Sequence, residues 1–148
     1  MKQIPLTQGK YAIVDDQDFD LVSKYKWHFS GGYAKNKGKK SIYMHRVILN
    51  AKEKEYIDHK NHNKLDNRRV NLRICTQSQN LGNQRLNKLN TSGYKGVSWH
   101  KTLKYWVAGC KLNGKTCVKY FKTKKEAILG YNEMAIKLFG DFAYLNKI

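Results

Sequence analysis

The sequence is poor in acidic residues and contains no long apolar run. Only 11 of its 148 residues are Asp or Glu, against 29 Lys and Arg, which gives a net charge of +18. No stretch of about 18 apolar residues is present to span a bilayer, and the first ten residues, MKQIPLTQGK, lack the apolar core of a secretory signal. We therefore expect a globular cytoplasmic protein without a membrane partner.

Cysteine is also scarce. The three cysteines, Cys75, Cys110 and Cys117, are odd in number and include no C-x-x-C pair. This excludes a disulfide framework and a zinc ribbon, and it favours buried thiols.

The positive charge is spread along the whole chain. Basic residues outnumber acidic ones by five in residues 1–55, by five in residues 56–90 and by eight in residues 91–148. A polyanion that follows the length of the molecule explains this distribution. The ten Tyr and three Trp among the lysines favour nucleic acid over a membrane surface.

Residues 56–80, YIDHKNHNKLDNRRVNLRICTQSQN, contain the chemistry-bearing motif. Asp58 and His59 follow two apolar or aromatic residues, as at the end of a short strand, and an amide-rich loop comes next. Carboxylate and amide oxygens suit magnesium or a similar ion, and a neutral His can take a proton from water at pH 7. Together these groups predict a phosphodiester hydrolase; the alternative is a surface ion pair between Asp58 and His59.

From Asp58 to Asn80 the pattern is D-H-x-N-x-N-x-x-D-N-R-x-x-N-L-R-x-x-T-x-x-x-N. It resembles the HNH, or His-Me finger, endonucleases, and most closely their phage and intron-encoded homing type. The resemblance implies a two-stranded ribbon and a helix around one metal ion, with double-stranded DNA as substrate and no small-molecule cofactor.

The resemblance also implies roles for single residues. Asp58 and Asn80 would be the metal ligands, His59 the general base, and Asn71 the residue that braces the loop and orients His59. The last position of the motif is Asn rather than His, which favours Mg²⁺ or Mn²⁺ over zinc, with one ion per active site.

Three arginines in the motif, Arg68, Arg69 and Arg73, are expected to point outward, and one of them would hold the scissile phosphate. Their spacing does not decide which one. His62 is interpreted as loop structure or a phosphate neighbour. His45, at the start of a short helix, is interpreted as a structural hydrogen-bond donor rather than a catalyst.

Before the motif, the pattern predicts a strand over residues 10–14 and a helix over residues 16–24. The acidic run from Asp15 to Asp20 lacks the Gly and Glu of a calcium loop, so its carboxylates are assigned to the first helical turn. Residues 26–34 and 40–44 are predicted as two strands joined by a lysine-rich turn. A short helix, HRVILN, follows at residues 45–50.

Residues 81–91 are predicted to be a linker whose Arg85 and Lys88 contact the DNA backbone. Beyond it, residues 94–100, 104–112 and 115–121 are predicted to form three strands, with Asn113-Gly114 as a type I′ turn. Thr123 and Glu126 form a capping box for a final amphipathic helix. One face of this sheet is predicted to be core and the other basic.

Residues 92–146 resemble the plant APETALA and ethylene-response-factor type of DNA-binding domain in the segments SGYKGV, WVA, FKTKKEA, YN, AIKLFG and the final LN. The resemblance implies that the open face of the sheet enters the major groove. By position the DNA contacts would be Lys95, Ser98, His100, Lys111, Lys115 and Cys117, with Lys119 added from strand alternation. Forked Arg readout of guanine is largely missing, which predicts weak specificity.

The sequence thus predicts an α+β protein. A ββα-metal nuclease module (residues 1–80) and a linker (81–91) precede a three-stranded antiparallel sheet packed on one helix (92–148). We expect a monomeric nicking endonuclease, encoded by a phage or mobile element and acting in the bacterial cytoplasm. The alternatives are a non-catalytic DNA-binding regulator on a degenerate nuclease fold and an RNA-binding protein. Removal of residues 92–148 is expected to weaken DNA binding more than chemistry.

Overall fold

In a computed structural model, which describes residues 1–38, 41–87 and 89–148, small antiparallel sheets combine with helices, and the predicted α+β class is confirmed. The chain divides into two compact units, Met1–Thr76 and Gln77–Ile148. The strands are β1 (Lys2–Pro5), β2 (Tyr11–Val14), β3 (Trp27–Ser30), β4 (Tyr33–Asn36), β5 (Tyr56–His59), β6 (Leu72–Cys75), β7 (Val97–His100), β8 (Tyr105–Leu112) and β9 (Lys115–Phe121). The α-helices are α1 (Asp16–Ser23), α2 (Met44–Ile48), α3 (Gln77–Asn83) and α4 (Lys124–Phe139).

The first unit consists of three two-stranded hairpins, β1–β2, β3–β4 and β5–β6, together with α1 and α2. Its core is aliphatic, because each short strand and helix turns one apolar face inward. The buried apolar residues are Ile4, Leu6, Ala12, Val14, Val22, Trp27, Ala34, Met44, Ile48 and Leu72. The predicted strand at residues 10–14 and the helices at 16–24 and 45–50 are confirmed as β2, α1 and α2.

The hairpin predicted from strands at residues 26–34 and 40–44 is wrong in its strand bounds and in its turn. β3 and β4 reverse at Gly31-Gly32, where both residues have positive φ (58° and 89°), rather than in a lysine-rich turn further on. Two consecutive left-handed residues end a strand, and glycine adopts that conformation without steric cost. Tyr43 makes only an isolated bridge to Lys35, and α2 begins at Met44. Residue 39 of the predicted turn and residue 40 of the predicted second strand lie outside the described residues.

The second unit packs α4 on the sheet β7–β8–β9. The type I′ turn is confirmed by the positive φ angles of Asn113 (49°) and Gly114 (82°). The capping box is confirmed as well, since Thr123 accepts from the Glu126 backbone and Glu126 accepts from the Thr123 backbone. The buried core residues are Val97, Ala108, Cys110, Ala127, Ile128, Tyr131, Met134, Ala135 and Phe139.

Helix α3 is built into the second unit. Gly82 lies so close to the Phe139 ring that an added Cβ would come within 2.7 Å of it. The Tyr144 backbone N–H donates to the Gly82 carbonyl at 3.2 Å. The unit therefore begins at Gln77, whereas the sequence suggested a module boundary after residue 80 and a linker over residues 81–91.

Cys75 and Cys110 are buried as predicted, but Cys117 is exposed. Among the described residues, no helix has the length and apolar character needed to cross a bilayer.

Candidate active site

The motif of acid, imidazole and amides that begins at Asp58 folds as the hairpin β5–β6 with a long loop between the strands. Asp58 lies opposite Arg73, and His59 lies opposite Leu72. The loop is tied to β2, because the Ile13 N–H donates to the Leu65 carbonyl and the Asn67 N–H donates to the Ile13 carbonyl, each at 2.8 Å. The chain that leaves His59 is thereby fixed to the core.

The amides of the loop satisfy its backbone and hold its shape. Asn71 bridges two points of the loop: its Oδ1 accepts from the Asn61 N–H at 3.0 Å, and its Nδ2 donates to the Asp66 carbonyl at 2.7 Å. Asn61 also donates to the Asp66 carboxylate and accepts from the Asn63 N–H, both at 2.8 Å. A loop that cannot use sheet hydrogen bonds is stabilised by such local side-chain bonds.

His59 lies at the end of β5 and is 5% exposed. Burial lowers the pKa of its imidazole below the ordinary 6.5. This outweighs the hydrogen bond to Asn67 and the carboxylates of Asp58 and Asp66, which raise it. The ring is therefore neutral at pH 7, the form that accepts a proton. Its Nε2 atom is buried.

A group of aromatic side chains surrounds this histidine. We define the ring cluster as Tyr33, Tyr43, His45 and His59. The His59 ring centroid lies 5.1 Å from that of His45 and 6.0 Å from that of Tyr33. Lys64 Nζ lies 4.4 Å from the centre of the Tyr33 ring. Sequence reasoning missed Tyr33 and Tyr43, which lie outside the motif and come next to His59 only in the fold.

Asp58 is buried, and it forms a close ion pair with Arg73 across the hairpin. Arg73 Nε donates to Asp58 Oδ2 at 2.8 Å, and Nη2 lies 2.7 Å from the same oxygen. The two side chains are 7% and 15% exposed. Because directly opposed residues of an antiparallel pair share a face, this contact follows from the register itself.

The three motif arginines, which were expected to point outward, are each held in an ion pair, although Arg69 is exposed. Arg68 pairs with Asp66 at 2.6 Å, and Arg69 pairs with Asp18 at 2.7 Å and also donates to the Ile48 carbonyl. With Arg73 on Asp58, each guanidinium has a carboxylate partner inside the first unit. Asp18 was assigned to the first turn of α1, where it is indeed found, but it is buried and also serves as this counter-ion.

The oxygen donors suit a hard divalent cation. Asp58 supplies a carboxylate, and its Oδ2 is paired with Arg73 in this structure. Among the described residues, no group of three or more His, Cys, Asp or Glu side chains is arranged as a metal site. Mg²⁺ does not require such a group, because it is commonly held by one or two carboxylates with water and substrate phosphates. Asn80, the other predicted ligand, lies in α3 of the second unit.

Two further histidines, His62 and His100, take part in turns of the backbone. His62 has a left-handed backbone (φ 62°), and its N–H donates to the His59 carbonyl at 2.9 Å. It therefore shapes the loop directly after His59. His100 Nδ1 accepts from the Leu103 N–H at 3.2 Å and caps the turn after β7.

In the second unit, the register of β9 corrects the predicted DNA face. Lys115, Cys117 and Lys119 lie opposite Leu112, Cys110 and Ala108. They therefore share the face that packs on α4, although their side chains are exposed. The two-residue turn fixes this pairing, and a shift of one residue would reverse every side chain of the strand. The open face carries Ser98, His100, Tyr105, Val107, Gly109, Lys111, Thr116, Val118 and Tyr120.

Lys95 does not project from the sheet. Its Nζ donates to the carbonyls of Leu81 (3.1 Å), Gly82 (2.6 Å) and Gln84 (2.7 Å), where it caps the end of α3. Burial lowers the pKa of Lys95 to about 8. The prediction that Lys95 contacts DNA is therefore replaced by a structural role. Arg85 is exposed, and Lys88 lies outside the described residues.

Comparison with known proteins points to one family. A family model described as HNH endonuclease matches residues 43–81. The chain is 37% identical over 149 residues to the uncharacterized HNH endonuclease L560 of Acanthamoeba polyphaga mimivirus, over 95% of this chain and 77% of that protein. It is 40% identical over 60 residues to Protein 3.8 of Escherichia phage T7, over 40% of this chain and 50% of that protein. No solved structure matches the chain significantly.

Proposed function

Because the chain belongs to the HNH endonucleases, we propose that it is a metal-dependent DNA endonuclease of the homing type that nicks one strand per active site. One observation carries the proposal: a buried, neutral His59 directly follows the buried carboxylate of Asp58 at the end of β5. A base and a cation ligand held in adjacent positions are what hydrolysis of a phosphodiester requires.

His59 is the general base. Its neutral imidazole takes a proton from the attacking water. Asn71 supports this geometry from the loop, because its two hydrogen bonds fix the segment that leaves His59. A base that is neutral before the reaction and held by a rigid loop is ready for proton transfer without further reorganisation.

Asp58, with Asn80 as the second ligand, would hold one Mg²⁺ or Mn²⁺ ion. When bound, such an ion neutralises the charge that develops on the phosphate and on the leaving 3′ oxygen. The donors fit this purpose because they are hard oxygens.

Arg73 is the arginine that we assign to the scissile phosphate. Arg68 and Arg69 pair with Asp66 and Asp18, neither of which belongs to the proposed catalytic set. Arg73 alone of the three lies on the proposed metal ligand, Asp58. A planar guanidinium there matches the oxygens of a phosphate that approaches the ion.

The second unit is proposed to bind double-stranded DNA with the open face of its sheet, in the manner of the APETALA and ethylene-response-factor domains. Of the residues predicted for this role, Ser98, His100 and Lys111 lie on that face. Its other exposed side chains include Tyr105 and Tyr120. With one lysine and no arginine, this face favours shape and apolar contact over forked readout of guanine.

A matched pair of lysines tests the corrected face. We expect Lys111→Ala to weaken binding to the target DNA several-fold and to reduce the salt slope by about 1, as for one lost phosphate contact. Lys119→Ala removes the same charge from the neighbouring strand but from the other face, and is expected to change affinity by less than about twofold. Fluorescence anisotropy over a salt series measures both, and a larger effect of Lys119→Ala would contradict the assignment.

The proposed function is tested by cleavage of a supercoiled plasmid that carries the DNA flanking the protein's own gene. We expect nicked circles with Mg²⁺ or Mn²⁺ and none in EDTA, because the chemistry depends on a bound divalent ion. Asp58→Asn, which keeps the side-chain shape, is the matched variant and should lose cleavage while still binding DNA. Run-off mapping of the nick gives the target site.

Binding without cleavage under any divalent ion would favour the rival function, a non-catalytic DNA-binding regulator. Cleavage in EDTA would contradict the metal-dependent mechanism. One active site per chain supports a monomer that nicks. The viral relatives support a gene of phage or mobile-element origin.

A further inference from the structure

The mechanism above leaves His45 without a role, although it is the closest ring to the catalytic base. His45 is 7% exposed and meets His59 edge-on, with an interplanar angle of 87° and a centroid distance of 5.1 Å. Its own position is fixed on two sides. Tyr43 stacks on it at 5.3 Å, and Tyr33 meets it edge-on at 5.5 Å.

His45 is energetically unfavourable at a core position. Its Nδ1 atom is buried and lacks a hydrogen-bond partner, and an unsatisfied buried nitrogen costs about 1–3 kcal/mol. Burial also lowers the pKa of His45 to about 3, so the ring is neutral and adds no charge beside His59. Its contribution to this site is therefore its shape and the aromatic face and edge that it presents.

The next residue, Arg46, holds the chain that leads into the same strand. Its guanidinium donates to the carbonyls of Ala51, Lys52 and Glu55. Residues 51–55 run directly into β5, the strand that ends on His59. Arg46 thus contacts the segment before β5, and His45 contacts the last side chain of β5.

We propose that His45 is a positioning residue, which fixes the orientation of the His59 imidazole by ring packing within the ring cluster. A flat ring edge-on to His59 blocks rotation of its side chain, so that the imidazole keeps one orientation in the site. Arg46 completes the arrangement by holding the backbone of the segment that leads into β5. The inference rests on the proposed function, since it gives His59 the role of the base.

The test compares His45→Ala, His45→Phe and Ile48→Ala. Ile48 is a matched control, because it lies on the same helix and is equally buried but does not belong to the ring cluster. His45→Ala is expected to lower kcat by about 10- to 100-fold with KM for DNA unchanged, since small misplacements of a reacting group have effects of this size. His45→Phe restores a ring and should recover kcat to within about threefold. Ile48→Ala should lower thermal stability but leave kcat, measured well below its melting temperature, unchanged.

An independent readout is the NMR signal of the His59 ring. In the wild-type chain and in His45→Phe we expect one sharp imidazole signal, and in His45→Ala a broadened or shifted one that reports ring motion. This measurement does not depend on cleavage, so a wild-type chain that cuts no DNA would refute the proposed function without deciding the role of His45. An unchanged His59 signal in His45→Ala, or a folded His45→Phe as slow as His45→Ala, would overturn the inference.

Discussion

Replacement of His59 by alanine is expected to lower the rate of DNA cleavage by about 10²- to 10⁴-fold and to leave DNA affinity unchanged. The variant removes the base that takes the proton from water. The ring is almost fully buried and contributes no charge at pH 7, so its loss should not weaken the electrostatic attraction to DNA. Single-turnover cleavage with saturating protein gives the rate, and filter binding gives the affinity.

His28→Ala is the control for this variant. His28 is a half-buried histidine of β3 outside the ring cluster, so its loss tests whether removal of any histidine from the first unit slows cleavage. We expect its rate to stay within about threefold of wild type. Full activity of His59→Ala would rule out the mechanism, and equal losses in both variants would point to a folding defect.

A chain that ends at residue 91 is expected to lose cleavage as well as tight DNA binding. The deletion removes three groups that hold α3: the Lys95 ammonium on its last carbonyls, the Phe139 ring against Gly82, and the Tyr144 N–H on the Gly82 carbonyl. A seven-residue helix is not stable alone in water, so α3 should unfold. Asn80, the proposed second ligand, lies in this helix.

This expectation differs from the one drawn from the sequence, which assigned residues 92–148 to DNA binding alone. Saturating the truncated chain with DNA separates the two, because it compensates for weak binding but not for a lost ligand. We expect no nicking above about 1% of the wild-type rate under those conditions. The full-length variant Lys95→Met, which keeps the sheet and removes only the contacts to the α3 carbonyls, should show a milder loss of the same kind. Wild-type kcat at saturation for residues 1–91 would contradict the role of α3.

Local signals allowed much of the fold to be predicted. Asn113-Gly114 demands a type I′ turn, and Thr123 with Glu126 demands a helix start, because each satisfies its own backbone within a few residues. The Asp58–Asn80 pattern likewise gave the hairpin and the helix after it, since its amides bond mainly to their own loop. In these segments the physics that decides the structure lies inside the segment.

Prediction failed where the deciding partner was distant in sequence or where one residue of register mattered. Arg69 pairs with Asp18, which lies 51 residues earlier, and no pattern in the motif could reveal that partner. Lys119 was placed on the DNA face by strand alternation alone, although the two-residue turn already predicted here puts it opposite Ala108. Gly31-Gly32 was taken as the interior of a strand, whereas its left-handed backbone reverses the chain.

The partners of the arginines in the first unit limit the contacts that this unit can make to DNA. Arg46 is engaged by backbone carbonyls, and Arg68 and Arg69 pair with carboxylates outside the proposed catalytic set. Arg73, which pairs with Asp58, is the one arginine proposed for the phosphate. The surplus cations of this half are lysines, which act as mobile point charges without the fork that distinguishes guanine from other bases. We expect the first unit to bind any duplex about equally well, so that the choice of cleavage site depends on the second unit.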